Sequence, residues 1–209
     1  DAECRTAVQA VADLLADLGH DVKAGSPAIS NEEMIDGLTS TWAVGIAQRL
    51  AVAEKALGVE AGPNTVEACS LAMLEYGRSL SGIDLLDGFA QLNTVGRSIG
   101  EFFEATDVLM LPSVAKVPWK LGELDQHDDS LDQHAWVRKL FDDYVPFTAM
   151  FNITGQPAIS LPLAWTDGGL PVGVQFVARY SEEATLLRLA AQIEQIFPWA
   201  DRLPPVVVS

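Results

Sequence analysis

Apolar residues recur at three- and four-residue spacings along the first half of the chain, which is the pattern of amphipathic helices. Gly19 is well placed to end the first of these stretches. Ser30 followed by Glu33 resembles a capping box, in which side chains satisfy free N–H groups of a first helical turn. The pattern predicts helices at residues 3–18, 31–57, 65–80 and 83–104.

Shorter runs with a different pattern predict strands at residues 21–24, 108–111, 158–161 and 172–177. Residues 108–111 are wholly apolar and are stopped by Pro112, as expected of a strand buried on both faces of a sheet. Asp167 and Gly168 lie between the last two strands, and an Asp-Gly pair favours a hairpin. The end of the chain is therefore predicted to form two paired strands.

Two helices are predicted later in the chain, at residues 134–151 and 182–197. Pro146 must end or kink the first of them, because proline cannot continue the helical hydrogen bonds. Residues 116–133 have mixed, mostly acidic composition and are predicted to be a loop. Helices followed by a strand and a late hairpin make this an α/β or α+β chain.

Composition excludes several classes of function. Hydrophobic residues make up 49% of the chain and charged residues 20%, so a packed core is available and disorder is not expected. The formal net charge of −16 argues against nucleic acid and anionic membranes as partners, since both require clustered Lys and Arg. Cys4 and Cys69 form no disulfide framework. We expect a cytoplasmic protein with no membrane span.

Two local patterns suggest chemistry but favour structural interpretations. Gly96, Ser98 and Gly100 match the spacing of a serine nucleophile elbow, but that motif needs a strand before the serine, and helical spacing runs through this one. His127 and His134 lie in an acidic stretch that contains metal-ligating residue types, yet the stretch is most simply a solvated surface. The residues themselves predict no catalytic set, metal or cofactor.

The last third of the chain resembles the amidase signature enzymes. Residues 152–163 (NITGQPAISLPL), 167–177 (DGGLPVGVQFV) and 183–190 carry the resemblance most strongly. Upstream, residues 107–113 resemble the family's buried strand, with Ser113 where threonine is usual, and residues 4–22 resemble the helix and strand that follow the catalytic core. Within the family, the pattern is most similar to the 6-aminohexanoate cyclic dimer hydrolases.

The resemblance implies the C-terminal portion of the amidase signature fold, with a mixed β-sheet covered by helices. Residues 1–209 would form a single portion, and the upstream catalytic half would be absent. The chain also begins at Asp1 within a predicted helix, which suggests a fragment, a processed chain or an engineered truncation. The family hydrolyses amides with a serine nucleophile, a second serine in a cis peptide and a lysine base, and it needs no cofactor. Those residues lie upstream, so no catalytic role is assigned here.

The resemblance also implies that this portion supplies one wall of a substrate pocket. Trp42, Phe147, Met150 and Asn152 are the residues expected to face it. Each of these residues also has a purely structural interpretation. Large apolar residues usually belong to the core, and Asn152 could serve simply to cap or turn the backbone. The leading hypothesis is thus the C-terminal part of an amidase, whose partners are its upstream portion or a companion chain, a small amide substrate and further copies of itself.

Two other hypotheses stay open. The first is a non-catalytic module that uses the region of Trp42 and Phe147 to hold a small apolar or amide ligand. The second is a metal hydrolase built on His127 and His134.

Overall fold

The computed structural model describes residues 1–203, which fall into two compact units. The first, the sheet unit, consists of residues 1–26, 102–118 and the described chain from residue 155 onward. The second, the helical unit, consists of residues 27–101 and 119–154. Each unit is discontinuous in sequence, so each is assembled from segments that lie far apart along the chain.

Seven helices and three strands form along the described residues. The helices are α1 (Ala2–Asp17), α2 (Asn31–Leu57), α3 (Ala68–Ser79), α4 (Gly82–Phe102), α5 (Gln133–Asp143), α6 (Ala149–Thr154) and α7 (Glu183–Ile196). The strands are β1 (Val108–Pro112), β2 (Ala158–Trp165) and β3 (Pro171–Ala178). No helix in this part of the chain is long and apolar enough to cross a membrane.

The predicted helices are confirmed, with local differences at their ends. The Ser30 hydroxyl accepts a hydrogen bond from the Glu33 N–H at 3.2 Å and begins α2, as the capping pattern predicts. The helix predicted at residues 134–151 is divided into α5 and α6, and Pro146 lies in the break. The helix predicted to begin at residue 65 begins at Ala68, because residues 62–66 form a turn instead.

The strand predicted at residues 21–24 is wrong. These residues form neither helix nor strand, and all four are exposed. The side chains of Lys23 and Asp21 pair with each other at 2.6 Å between nitrogen and oxygen. A four-residue segment with so little apolar surface has no buried face to hold it against a sheet.

The sheet has the order β1-β3-β2, and every pairing in it is antiparallel. The hairpin of β2 and β3 is confirmed. A short turn joins the two strands, and Gly169 in this turn has a φ of +79°. β1 pairs with β3 from the other side, with Leu109 opposite Val177. Most residues of β1 are half-buried, so this strand is not buried on both faces as its apolar run predicts.

One face of the sheet packs against two helices to form the core of the sheet unit. β3 contributes Val172, Val174, Phe176 and Ala178, which alternate along the strand as residues on one face must. α1 and α7 cover them with buried apolar side chains at helical spacing: Cys4, Ala7, Val11 and Leu15 from α1, and Leu186, Ala190 and Ile193 from α7. The apolar face of β3 and the apolar stripes of α1 and α7 therefore pack against one another in a single core.

The core of the helical unit joins α2, α3, α5 and α6. Its buried members are Ile35, Ala43, Met73, Val137, Phe141 and Ala149. α2 and α3 approach closely at Gly77, where a Cβ atom would overlap the carbonyl oxygen of Ala43 and lie 3.0 Å from the backbone nitrogen of Val44. Backbone cannot yield as a side chain does, so the absence of a side chain at Gly77 sets the spacing of these two helices.

Gly77→Ala should therefore destabilise the protein by about 1–3 kcal/mol, the usual cost of overpacking, despite the better helix propensity of alanine. Chemical denaturation measures the change in the free energy of unfolding. Gly45→Ala is the matched control, because Gly45 lies within α2 and a Cβ atom there would meet nothing from outside its own helix within 4 Å. It should be neutral or stabilise by up to ~1 kcal/mol. Equal effects of the two changes would refute the close-approach explanation.

Candidate functional site

The four residues predicted to face a substrate lie in the helical unit. Trp42 lies on α2, Phe147 in the turn between α5 and α6, and Met150 and Asn152 on α6. Their neighbours Ala43, Phe141 and Ala149 share one buried cluster.

The four side chains differ in exposure, which separates binding candidates from core. Trp42 is 40% exposed, and its ring lies 6.3 Å from that of Phe141 at an interplanar angle of 56°. Asn152 is exposed and Phe147 is half-buried. Met150 is buried at 7% exposure. Trp42 and Asn152 thus offer an aromatic face and an amide to solvent, whereas Met150 supports the helix on which Asn152 lies.

α6 ends where the backbone turns sharply at Gly155, which has a φ of +74°. Glycine adopts this left-handed conformation without the steric cost that a side chain would add. The Thr154 hydroxyl donates a hydrogen bond to the Met150 carbonyl at 3.0 Å inside the short helix. Gly155 therefore ends α6 just beyond Asn152.

An open cavity of about 270 Å³ lies among the helices of the helical unit. Its lining residues come from α2, α3, α4 and α5 and the turn before α4: Asp36, Ser40, Tyr76, Leu80, Asp84, Asp87, Gly88, Gln91 and His134. The lining carries three carboxylates, one imidazole and one phenol beside the apolar side chain of Leu80. Trp42, Phe147, Met150 and Asn152 are not among the lining residues.

Contacts within this cavity position its aromatic and ionisable groups. The His134 ring lies 5.2 Å from the Tyr76 ring in an edge-to-face arrangement. Its Nε2 is 4.0 Å from Oδ1 of Asp36, and its Nδ1 is 3.2 Å from Nε2 of Gln133. The imidazole is thus held between α2, α3 and its own helix α5.

Asp84 belongs to a capping box at the start of α4. Its Oδ2 accepts hydrogen bonds from the backbone N–H and the hydroxyl of Ser81, both at 2.7 Å. The Ser81 hydroxyl in turn accepts the N–H of Asp84 at 3.2 Å. Bonding by the Ser81 hydroxyl, and then by its backbone N–H, holds the pKa of Asp84 below its usual range.

Two sequence patterns that suggested catalysis or metal binding lie in ordinary helix and loop structure. Gly96, Ser98 and Gly100 lie within α4, so no strand-to-helix turn lifts the serine as a nucleophile elbow requires. Residues 116–132 form a loop, and His134 lies in the first turn of α5. Among residues 1–203, no group of three or more His, Cys, Asp and Glu side chains could hold a metal ion. His127 and His134 therefore lack a ligand set here.

Helical spacing marks in the sequence the polar helix faces that line the cavity. Asp36 and Ser40 are four residues apart on α2, and Asp84, Asp87 and Gln91 follow a three- and four-residue spacing on α4. Polar residues at that spacing lie on one face of a helix. The sequence does not reveal that these faces converge, since this depends on the crossing of α2, α3 and α4.

Comparison with known proteins places the chain in a family. The family model described as Amidase matches residues 1–187, and the chain belongs to the amidase family. It is 32% identical over 211 residues to a 6-aminohexanoate-cyclic-dimer hydrolase of a Pseudomonas species (strain NK87). It is 32% identical over 212 residues to the hydrolase of the same name from Paenarthrobacter ureafaciens. Each alignment includes 99% of this chain and 43% of the relative.

Solved structures agree with this assignment. A 6-aminohexanoate cyclic dimer hydrolase complexed with substrate superposes with a TM-score of 0.90 at 32% identity, covering 98% of this chain and 43% of that one. A bacterial aryl acylamidase of the amidase signature family, 18% identical, has a TM-score of 0.75 and shares the fold. The α/β amidase signature fold is thus confirmed. The chain spans less than half the length of the curated relatives it matches.

Ser81→Ala should raise the pKa of Asp84 toward its usual value, because the largest cause of the shift is removed. A carboxyl group with a lowered folded-state pKa stabilises the fold above its unfolded pKa and loses that contribution as pH falls. The variant should therefore lose less stability than the wild type on acidification. Carboxyl ¹³C NMR titration and acid unfolding measure both effects.

Ser130→Ala is the matched control for this change. The Ser130 hydroxyl and N–H lower the pKa of Asp128 in the same way, in the loop between β1 and α5. Replacing Ser130 should raise the pKa of Asp128 and leave the pKa of Asp84 unchanged. An unchanged Asp84 titration in Ser81→Ala would contradict the capping-box assignment.

Proposed function

We propose that this chain is the C-terminal part of an enzyme that hydrolyses carboxamide bonds, including those of cyclic or linear amide oligomers. The observation that carries the proposal is the match over residues 1–187 to the amidase family, together with close superposition on a hydrolase of cyclic amide dimers. The match includes 43% of that hydrolase, which supports a role as one part of a larger catalytic assembly.

In this proposal the catalytic groups come from a polypeptide portion upstream of these residues, either continuous with them or as a companion chain. The family resemblance implies a serine nucleophile, a second serine in a cis peptide and a lysine. The lysine takes the proton as the serine attacks the amide carbonyl, and backbone N–H groups stabilise the oxyanion. Residues 1–209 then form a single C-terminal portion that is inactive by itself. We further propose that this portion self-associates when separated, and that the enzyme acts in the cytoplasm.

The helical unit would supply one wall of the substrate pocket. Trp42 is 40% exposed and presents an aromatic face suited to the methylene groups of an amide oligomer, since aromatic side chains bury a large apolar area on contact. Asn152 presents an exposed amide that can pair with a substrate carbonyl or N–H. Phe147 and buried Met150 would shape the wall between them.

The catalytic assignment is tested on the active enzyme purified from its source. Native and denatured mass spectrometry should find an upstream portion, joined or separate, and a serine-reactive fluorophosphonate should label a serine of that portion. Stoichiometric labelling of a serine within residues 1–209 would overturn the proposal. Saturable amide binding without turnover, by a protein with no upstream portion, would instead favour a non-catalytic binding module.

Trp42→Ala should lower kcat/KM for a linear amide oligomer by about tenfold, because it removes apolar contact with the substrate's methylene groups. Trp42→Phe should retain most of the activity. Val52→Ala is the control, since Val52 is also exposed on α2 and is assigned no contact with substrate. If Trp42→Ala keeps full kcat/KM while folding normally, Trp42 does not contact the substrate.

A further inference from the structure

The first half of α4 carries large apolar side chains on its outer surface. Gly88, which is buried, marks the side of the helix that packs on α2, where a Cβ atom would lie 3.3 Å from Cγ2 of Thr41. Ile83, Leu86 and Phe89 recur at three-residue spacing outside that contact, and they are 72%, 67% and 54% exposed. Single exposed apolar residues are ordinary, but neighbouring ones mark an interaction surface. These three residues are called the α4 stripe.

The open cavity of the helical unit borders this stripe. Asp84, Asp87 and Gln91 line the cavity from α4, and Asp36 adds a third carboxylate from α2. Residues four apart are neighbours on a helix surface, so Asp87 lies beside Ile83 of the stripe. No Lys or Arg of residues 1–203 is among the lining residues. An apolar strip and a negatively charged cavity therefore lie side by side on one helix.

The charge of this cavity is not balanced by basic side chains of the helices around it. Arg78 on α3 pairs with Glu54 at 2.8 Å, and Arg138 on α5 lies 3.9 Å from Glu32. Asp87 has no ion pair or hydrogen bond with any of residues 1–203. A cation brought from outside would therefore meet a carboxylate that has no competing partner.

The cation that suits the cavity is a basic side chain and not a metal ion. Among residues 1–203, no group of three or more His, Cys, Asp and Glu side chains could hold a metal ion, so the carboxylates surround the cavity without converging on one point. Tyr76 and Leu80 add an aromatic ring and an apolar side chain to the lining. Lysine and arginine bury their methylene stems along apolar surface while the charged end pairs with carboxylates, and arginine also stacks on aromatic rings.

We propose that the α4 stripe and the adjoining cavity form the surface on which the upstream portion of the enzyme docks. An amphipathic segment of that portion sets apolar side chains on the stripe and one lysine or arginine side chain in the cavity. This inference rests on the proposed function, which supplies the upstream portion. The chain covers 43% of each hydrolase relative, so more than half of an enzyme of that length lies outside it and can cover this face.

A second copy of the chain suits the surface less well. The chain carries a net charge of −16, and Asp84 and Asp87 border the stripe. Two such faces brought together would place like charges opposite each other, which opposes association. Charge complementarity therefore favours a basic amphipathic partner segment over a copy of this one.

Photochemical cross-linking of the complete enzyme, produced with its upstream portion, identifies what covers the stripe. Phe89→benzoylphenylalanine places the reactive group in the middle of the surface, and mass spectrometry maps the linked peptide. The link should join position 89 to a segment of the upstream portion that carries a lysine or arginine within about one helical turn of the linked residue. A link to residues 1–209 of a second copy, to an unrelated protein, or to a segment without a basic residue would overturn the proposal.

Maleimide labelling of the same enzyme measures how well the stripe is covered. Leu86→Cys should react about tenfold more slowly than Leu121→Cys, since a covered site must open before it reacts. Leu121 is fully exposed in the loop before α5, and the native Cys4 and Cys69 are buried. Equal labelling rates in an enzyme that contains its upstream portion would overturn this proposal alone. Absence of any upstream portion in the mass spectra would overturn the proposed function as well.

A charge-neutralising variant tests the role of the cavity. Adding Asp87→Asn to Leu86→Cys should raise the labelling rate about two- to fivefold, the effect expected of losing one exposed ion pair. Asp129→Asn is the matched control, because Asp129 is an exposed aspartate of the helical unit that does not line the cavity. It should leave the rate unchanged. Equal effects of the two changes would show that no basic side chain occupies the cavity.

Discussion

The position of β3 between two antiparallel neighbours is the constraint on which the sheet unit depends. Its backbone pairs with β1 on one side and β2 on the other, so its side chains must lie on the two faces of the sheet. One face, through Val174 and Phe176, receives the apolar stripes of α1 and α7. The pairing of β1 with β3 joins segments more than 60 residues apart in sequence. The core of this unit therefore includes non-local pairing, which is characteristically slow to form.

The helical unit depends on a different constraint, which is how closely its helices approach. α2 and α3 touch backbone to backbone at Gly77, and this contact places Tyr76 one residue away beside the His134 ring. The Glu54 carboxylate adds a tether at the end of α2, where it accepts hydrogen bonds from the Ala61 N–H and from Arg78, both at 2.8 Å. The open cavity therefore lies among helices that pack closely at Gly77 and are tied together at Glu54.

Sequence could predict those elements whose signals are local. The Asp-Gly turn and the β-branched residues of β3 predict the hairpin, and Pro146 predicts the break between α5 and α6. The prediction of a strand at residues 21–24 is wrong because a strand needs a neighbouring strand and a buried face. A four-residue pattern contains no information about either. The cavity was not predicted for a related reason, since Asp36, Asp84 and His134 come together only through tertiary packing. Trp42 and Asn152 follow from family resemblance and not from any residue pattern.

The two faces of β3 differ in how well they obey the local rules of sheets. The core face carries β-branched and aromatic residues, which favour strands and pack well. On the opposite face, Gly173 weakens the strand, and a side chain there would overlap the Ser113 and Ser160 hydroxyls. Gln175 on the same face has a buried Nε2 with no hydrogen-bond partner among residues 1–203. Sequences that fold well break such rules mainly where function requires it. The opposite face also buries Val177, so β3 contributes to packing on both faces and has its glycine and glutamine on the face turned away from α1 and α7.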